Sequence, residues 1–151
     1  MTPVDVRDPE VLALVDALTA ELALGGYGEE ETFGYSADQL AASGVHLLGA
    51  RVDGGLVGIA GVELDGEGGG ELKRFYVVPA SRGRGVADAL LGALVEHARR
   101  RGASVLRLET GDVQAAALRF YARHAFRRVP RFGPYVGSAT SVCLERALDV
   151  R

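Results

Sequence analysis

The chain has 151 residues, 48% of them apolar and 25% charged, with a formal net charge of −3. That length supports one well-buried core and is short for two, so residues 1–151 read as a single domain. The composition excludes a disordered or fibrous chain. The weakly acidic balance supplies no general field for phosphate backbones, so no nucleic acid partner is expected.

Cys143 is the only cysteine, which excludes an internal disulfide and argues against a cysteine-based metal site. A reducing, cytoplasmic setting fits. No apolar run approaches the roughly 20 residues that cross a bilayer. The opening MTPVDVRDPE lacks the basic and apolar parts of a signal peptide. A soluble, unexported protein with no membrane partner is expected.

In chain order, Asp8 followed by Pro9 predicts a helix start, with Val11, Leu14, Val15, Leu18 and Leu22 at helical spacing to about Leu24. GGYGEEETFGYS reads as a loop before a short helix near Ala37 to Ala42. His46 to Val52 and Leu56 to Leu64 flank the Asp53, Gly54, Gly55 turn and predict an antiparallel hairpin. Glu71 to Pro79 predicts a third strand. Val86, Leu90, Leu91, Leu94, Val95 and Ala98 then form one stripe of a helix from Gly85 to Arg101, with Asp88 in its first turn and Gly102 as its stop. Ser104 to Thr110 reads as a strand, Gln114 to His124 as a short amphipathic helix, and Phe126 to Val129 and Ser141 to Leu148 as closing strands. The order predicts a mixed α/β fold.

Arg82, Gly83, Arg84, Gly85, Val86 and Ala87 lie between the third strand and the amphipathic helix. Glycines tolerate positive φ and close approach, arginines add charge, and the first N–H groups of a helix lack internal partners. A phosphate or pyrophosphate fits this loop. An ordinary glycine-rich turn fits it as well. A dinucleotide fingerprint starting at Gly83 wants glycine or alanine where Asp88 stands, and a nucleoside triphosphate loop wants a terminal lysine followed by serine or threonine. Neither is present.

RGRGVA after YVVP resembles motif A of the GNAT superfamily of N-acetyltransferases, with Arg82, Gly85 and Ala87 at its defining positions. ALRFYARHAF, from Ala117 to Phe126, is similar to the same superfamily's motif B. There Ala125 replaces the usual glycine, and alanine in a left-handed turn costs on the order of 1 kcal/mol. Gln114 replaces the asparagine common in members, keeping an amide. The resemblance covers most of the chain. It implies a GNAT-like central mixed, largely antiparallel sheet flanked by helices, with splayed parallel strands at the site of an acetyl-CoA cosubstrate and no metal.

The resemblance also assigns residues. Backbone groups of Tyr76, Val77 and Val78 pair with the pantetheine arm. Gly83, Arg84, Gly85, Val86, Ala87 and Asp88, with Arg82, hold the pyrophosphate. Gln114, Ala117, Phe120 and Tyr121 line the arm, and the Tyr121 hydroxyl protonates the departing thiolate. Without it, Tyr121 reads as a core tyrosine. Glu71 stands 11 residues before Arg82, where some members place a catalytic glutamate. Strand alternation puts Glu71, Lys73, Phe75 and Val77 on one face. Glu71 therefore reads either as the base for the acceptor ammonium or as a salt-bridge partner of Lys73, and a water relay is a third route.

The implied reaction is direct acetyl transfer from acetyl-CoA to a small-molecule or peptide amine. A noncatalytic acyl-CoA-binding sensor on the same fold is the alternative. Glu29, Glu30 and Glu31, with Tyr27, Phe33 and Tyr35, offer one wall for a cationic amine, and Phe132 to Tyr135 the opposite one. His46, His97 and His124 have no metal-ligand spacing. The closing strands offer edges through which a homodimer could pair, or edges protected within one chain.

Overall fold

A computed structural model describes residues 1–24 and 35–149. Glu29, Glu30, Glu31, Tyr27 and Phe33 lie outside the described residues. The elements run β1 (Thr2–Pro3), α1 (Pro9–Leu24), α2 (Ala37–Ala42), β2 (His46–Val52), β3 (Gly55–Leu64), β4 (Gly69–Val77), α3 (Val86–Arg100), β5 (Val105–Gly111), α4 (Ala115–Arg123), β6 (Arg127–Val129) and β7 (Ser141–Ala147). Two 3₁₀ turns, Pro79–Ser81 and Gly133–Tyr135, were not expected from the sequence, nor was β1. Helix starts follow local chemistry. The N–H of Glu10 bonds Asp8 Oδ1 at 2.9 Å, and Ser36 and Gln39 close a reciprocal capping box on α2.

Among the described residues, seven strands join one sheet in the order β1-β2-β3-β4-β5-β7-β6. Neighbours are antiparallel except β4 and β5. That mixed, largely antiparallel sheet with flanking helices is the fold the sequence implied. One core, with Leu90, Leu91 and Leu94 of α3, Leu106 and Leu108 of β5 and Tyr121 of α4, covers one face. A second, with Val11, Leu14 and Val15 of α1, Leu40 of α2, Ile59 and Tyr76, covers the other.

Two features of β4 shape everything around the cleft. Its parallel pairing with β5 runs only through Gly69, Gly70 and Glu71, whereas β5 stays paired with β7 as far as Gly111. Beyond Glu71 the two strands part. Against β3, the register slips between Ile59 and Gly61, whose partners are Tyr76 and Lys73. The extra residue lies on β4, at Arg74, whose φ of 51° is left-handed.

This bulge corrects the expected alternation. Lys73 meets the Tyr35 ring and Arg74 meets Tyr35 and Thr19, all on the α1 and α2 side. Phe75 and Val77 instead join Leu72 in the core under α3 and α4. Glu71 and Lys73 therefore do not share a face with Phe75 and Val77. Ala125 takes φ 67°, so the left-handed turn survives with alanine in place of glycine.

Candidate active site

The parted strands form a cleft of about 600 Å³, bounded by α1, β4, the loop into α3, β5 and α4. At one end, Gly83 and Gly85 adopt φ of 76° and 82°, a region that L side chains enter only at a cost. Gly85 caps α3, and the first helical bond runs from Ala89 N to Gly85 O. The N–H groups of Val86, Ala87 and Asp88 thus precede any intrahelical partner, where helix dipole and donors favour an anion. A Cβ at Gly83 or Gly85 would meet no atom within 4 Å, so the space above the loop is open.

Arg82 does not extend over that space. Its Nε donates to the Val77 carbonyl at 2.9 Å and its Nη2 to Glu21 Oε2 at 2.9 Å. The Asp88 carboxylate lies 2.6 Å from His124 Nε2, tying the start of α3 to the end of α4. That contact, with the nearby Arg123, holds the Asp88 carboxyl below the usual carboxylate range.

Of the three residues expected to offer backbone groups to the pantetheine arm, Val77 turns its own away from β3 and lines the cleft. The Val78 N–H instead donates to Val57 O at 2.8 Å, on the β3 side. Strand geometry turns successive peptide groups to opposite edges, so Tyr76 also directs its backbone toward β3. Only Val77 then presents backbone to the opening, and Arg82 already takes its carbonyl.

The cleft gathers Tyr76, Val77, Arg82, Gly83, Gly85, Ala87, Asp88, Gln114, Ala117, Phe120 and Tyr121 of the expected residues. Glu71, Val78, Arg84 and Val86 are not among its walls. Val86 packs on the core instead. Glu71 Oε2 accepts from Lys73 Nζ at 2.9 Å and from the Tyr135 hydroxyl at 2.5 Å, the salt-bridge arrangement left open by the sequence. Tyr135 thus meets β4 from the segment between β6 and β7.

Tyr121 stands edge-on to Phe75, Phe120 and Phe126. Burial alone raises its pKa, with no hydrogen bond to the hydroxyl contributing. It stays protonated at neutral pH, the form a proton donor needs. Sequence reasoning missed Glu21, Arg74 and Glu109 on the cleft walls. For Glu109 the available signal was a charge alternating with Leu106 and Leu108. Burial raises the Glu109 carboxyl, a hydrogen bond from Ser141 opposes this, and the Glu71 charge adds to it.

The chain matches the acetyltransferase (GNAT) family over residues 14–126. It belongs to that family. Among curated relatives of this GNAT acetyltransferase, an IAA acetyltransferase of Azospirillum brasilense is 38% identical over 110 residues, 72% of each chain. Among solved structures, one from Klebsiella pneumoniae, provisionally described as an acyl-CoA N-acyltransferase, superposes with a TM-score of 0.81 at 34% identity, covering 98% of this chain and 96% of that one. The PaiA N-acetyltransferase of Thermoplasma acidophilum, solved with coenzyme A, gives 0.79 at 18% identity over 97% and 96%, a likeness of fold.

Among the described residues, no group of three or more His, Cys, Asp or Glu is arranged to hold a metal ion. No described helix is long and apolar enough to cross a membrane.

Proposed function

We propose that this GNAT acetyltransferase takes acetyl-CoA as donor and moves its acetyl group directly to a primary amine. The observation that carries the reading is the parting of β4 from β5 beyond Glu71. It opens a slot whose lining includes the start of α3 and Tyr121 of α4. An extended arm with a phosphate at one end and a thioester at the other fits that slot.

In this reading the N–H groups of Val86, Ala87 and Asp88 bind the pyrophosphate, with Gly83 and Gly85 permitting its approach. The Val77 N–H pairs with the pantetheine arm as an added strand would. Phe75 and Phe120 exclude water from the thioester. Tyr121 donates its hydroxyl proton toward the sulfur as the carbon–sulfur bond breaks, stabilising charge that develops only then. Acetyl-CoA supplies the activated acyl group, so no covalent enzyme intermediate is required.

The test combines calorimetry of acetyl-CoA with thiol release across amino acids, polyamines, aminoglycosides and peptide N-termini. Micromolar donor binding and turnover with at least one amine are expected. Tight binding with no turnover across the panel would leave the noncatalytic acyl-CoA sensor instead.

A further inference from the structure

Two charged side chains on the cleft walls have no part in donor binding, and both project to the α1 and α2 side of the sheet. The first is Arg74, 8% exposed. Its Nε donates to the Tyr35 carbonyl at 2.7 Å and its Nη2 to Thr19 Oγ1 at 3.1 Å. These two bonds fix the guanidinium plane. Nη1 is buried and has no hydrogen-bond partner among the described residues. Asp16 favours the cation only through space, while burial lowers the Arg74 pKa.

A buried guanidinium without a hydrogen-bonded counter-ion is costly. Fastening β4 to α1 and Tyr35 explains two of its nitrogens and not the third. The group that best completes a guanidinium fork is a planar anion with two oxygens. Arg74 is itself one of the residues that line the cleft, so the cleft is where we look for such an anion.

The second is Glu109 on β5. Leu106 and Leu108 point into the core under α3 and α4, so Glu109, between Leu108 and Thr110, faces the other way with Arg74. Ser141 Oγ donates to its Oε2 at 2.6 Å and is itself joined to Ser138 at 2.8 Å. The held carboxylate has no ion-pair partner among the described residues. A carboxylate fixed this way on the wall of the cleft suits a cationic amine.

We propose that the acceptor is an amino carboxylate whose carboxylate pairs with Arg74 and whose ammonium faces Glu109, which takes its proton. This rests on the acetyl-transfer reading above. Glu109 removes one proton from the ammonium, freeing the nitrogen lone pair. The nitrogen attacks the thioester carbonyl carbon, a carbon–nitrogen bond forms, and the carbonyl π pair moves to oxygen. When the carbonyl reforms, the carbon–sulfur bond breaks and its electron pair leaves on sulfur, which gains a proton. The amide nitrogen sheds its second proton, so one proton is released per turnover. Burial, which raises the Glu109 carboxyl, strengthens it as a base.

The experiment has an equilibrium arm and a kinetic arm. Calorimetry of the full chain saturated with coenzyme A compares standard amino acids with their decarboxylated amines, such as phenylalanine with phenethylamine and lysine with cadaverine. At least one amino acid is expected to bind 10-fold or more tightly than its amine. Arg74→Gln should erase that preference, Arg74→Lys should restore part of it, and neither should change coenzyme A affinity. In thiol release, Glu109→Gln should lower kcat/KM about 100-fold and abolish the acidic limb of its pH profile, in a protein that still unfolds cooperatively.

Equal binding of every amino acid and its amine by the parent protein overturns the proposal, and this comparison needs no variant to fold. Loss of coenzyme A affinity in Arg74→Gln assigns the anion to a donor phosphate and overturns it too. Parent-like kinetics and pH profile in Glu109→Gln remove Glu109 from the chemistry. Failure of the parent to bind coenzyme A at all would sink the acetyl-transfer reading instead, a distinct outcome.

Discussion

The Tyr135 hydroxyl donates to Glu71 at 2.5 Å, on the oxygen that also accepts from Lys73 at 2.9 Å. Lys73 is 8% exposed on its side chain and Glu71 21%, so the carboxylate is the counter-charge of a buried ammonium. Removing one partner of such a pair costs roughly 3–5 kcal/mol, because the other charge stays buried.

Glu71→Gln is therefore expected to lose stability on that scale in urea denaturation, with an unchanged slope. Tyr135→Phe removes one donor to a charged acceptor and should cost about 1.5–3 kcal/mol. A Glu71→Gln protein that melts like the parent and loses only turnover would reverse this picture and return Glu71 to proton transfer.

The donor loop makes a second prediction. Gly85 has φ 82° and open space around a built Cβ, so a side chain there meets the ligand before it meets the protein. Gly85→Ala should cost about 1 kcal/mol through its backbone alone. Gly85→Glu adds a negative charge and should weaken acetyl-CoA at least 10-fold by calorimetry. Equal affinity of the Glu variant and the parent would move the pyrophosphate elsewhere.

The parts of this site readable from the chain are those governed by local chemistry. Gly83 and Gly85 announce left-handed backbone because other residues avoid it, and Asp8 and Ser36 announce helix starts through bonds spanning two or three residues. The bulge at Arg74 is different. It exists because β4 carries one more residue than β3 across Ile59 to Gly61, and nothing about an arginine advertises positive φ. Missing it misplaced Phe75 and Val77 relative to Glu71. Glu109 was overlooked for a related reason: its place on the cleft wall depends on β4 leaving β5, a property of two strands distant in sequence. Tyr135 reaches Glu71 across 64 residues, beyond any local pattern.

Tyr121 tests the chemistry itself. Its ring stands edge-on to Phe75, Phe120 and Phe126, and Phe keeps the ring that packs there. Tyr121→Phe should therefore fold and bind acetyl-CoA like the parent. Its kcat should fall on the order of 100-fold, the usual contribution of a positioned acid. A poorer leaving thiolate depends more on that acid, so the deficit should shrink with an activated aryl thioester donor. An undiminished kcat would leave Tyr121 as a core residue.

His46 and His97 stack with ring centroids 3.6 Å apart and planes 3° from parallel, joining β2 to α3 away from the cleft. Burial lowers both pKa values; Arg101 adds to this for His46, and His46, Arg101 and Arg100 add to it for His97. The unfolded chain, with histidine near 6.5, then binds more protons than the folded one. Stability must rise with pH through this window. The contribution is complete above about 6.5 and is lost as pH falls from there through the lower folded values. Glu109, raised by burial, acts with the opposite slope, so the parent's curve alone does not isolate the pair. The difference between proteins does: His97→Phe keeps an aromatic ring on His46 and removes a titrating group and its charge. Melting temperatures from pH 7.5 to 5 should fall less in His97→Phe than in the parent, because the shared Glu109 contribution cancels. Parallel curves would mean that protonation of the stacked rings costs the fold nothing.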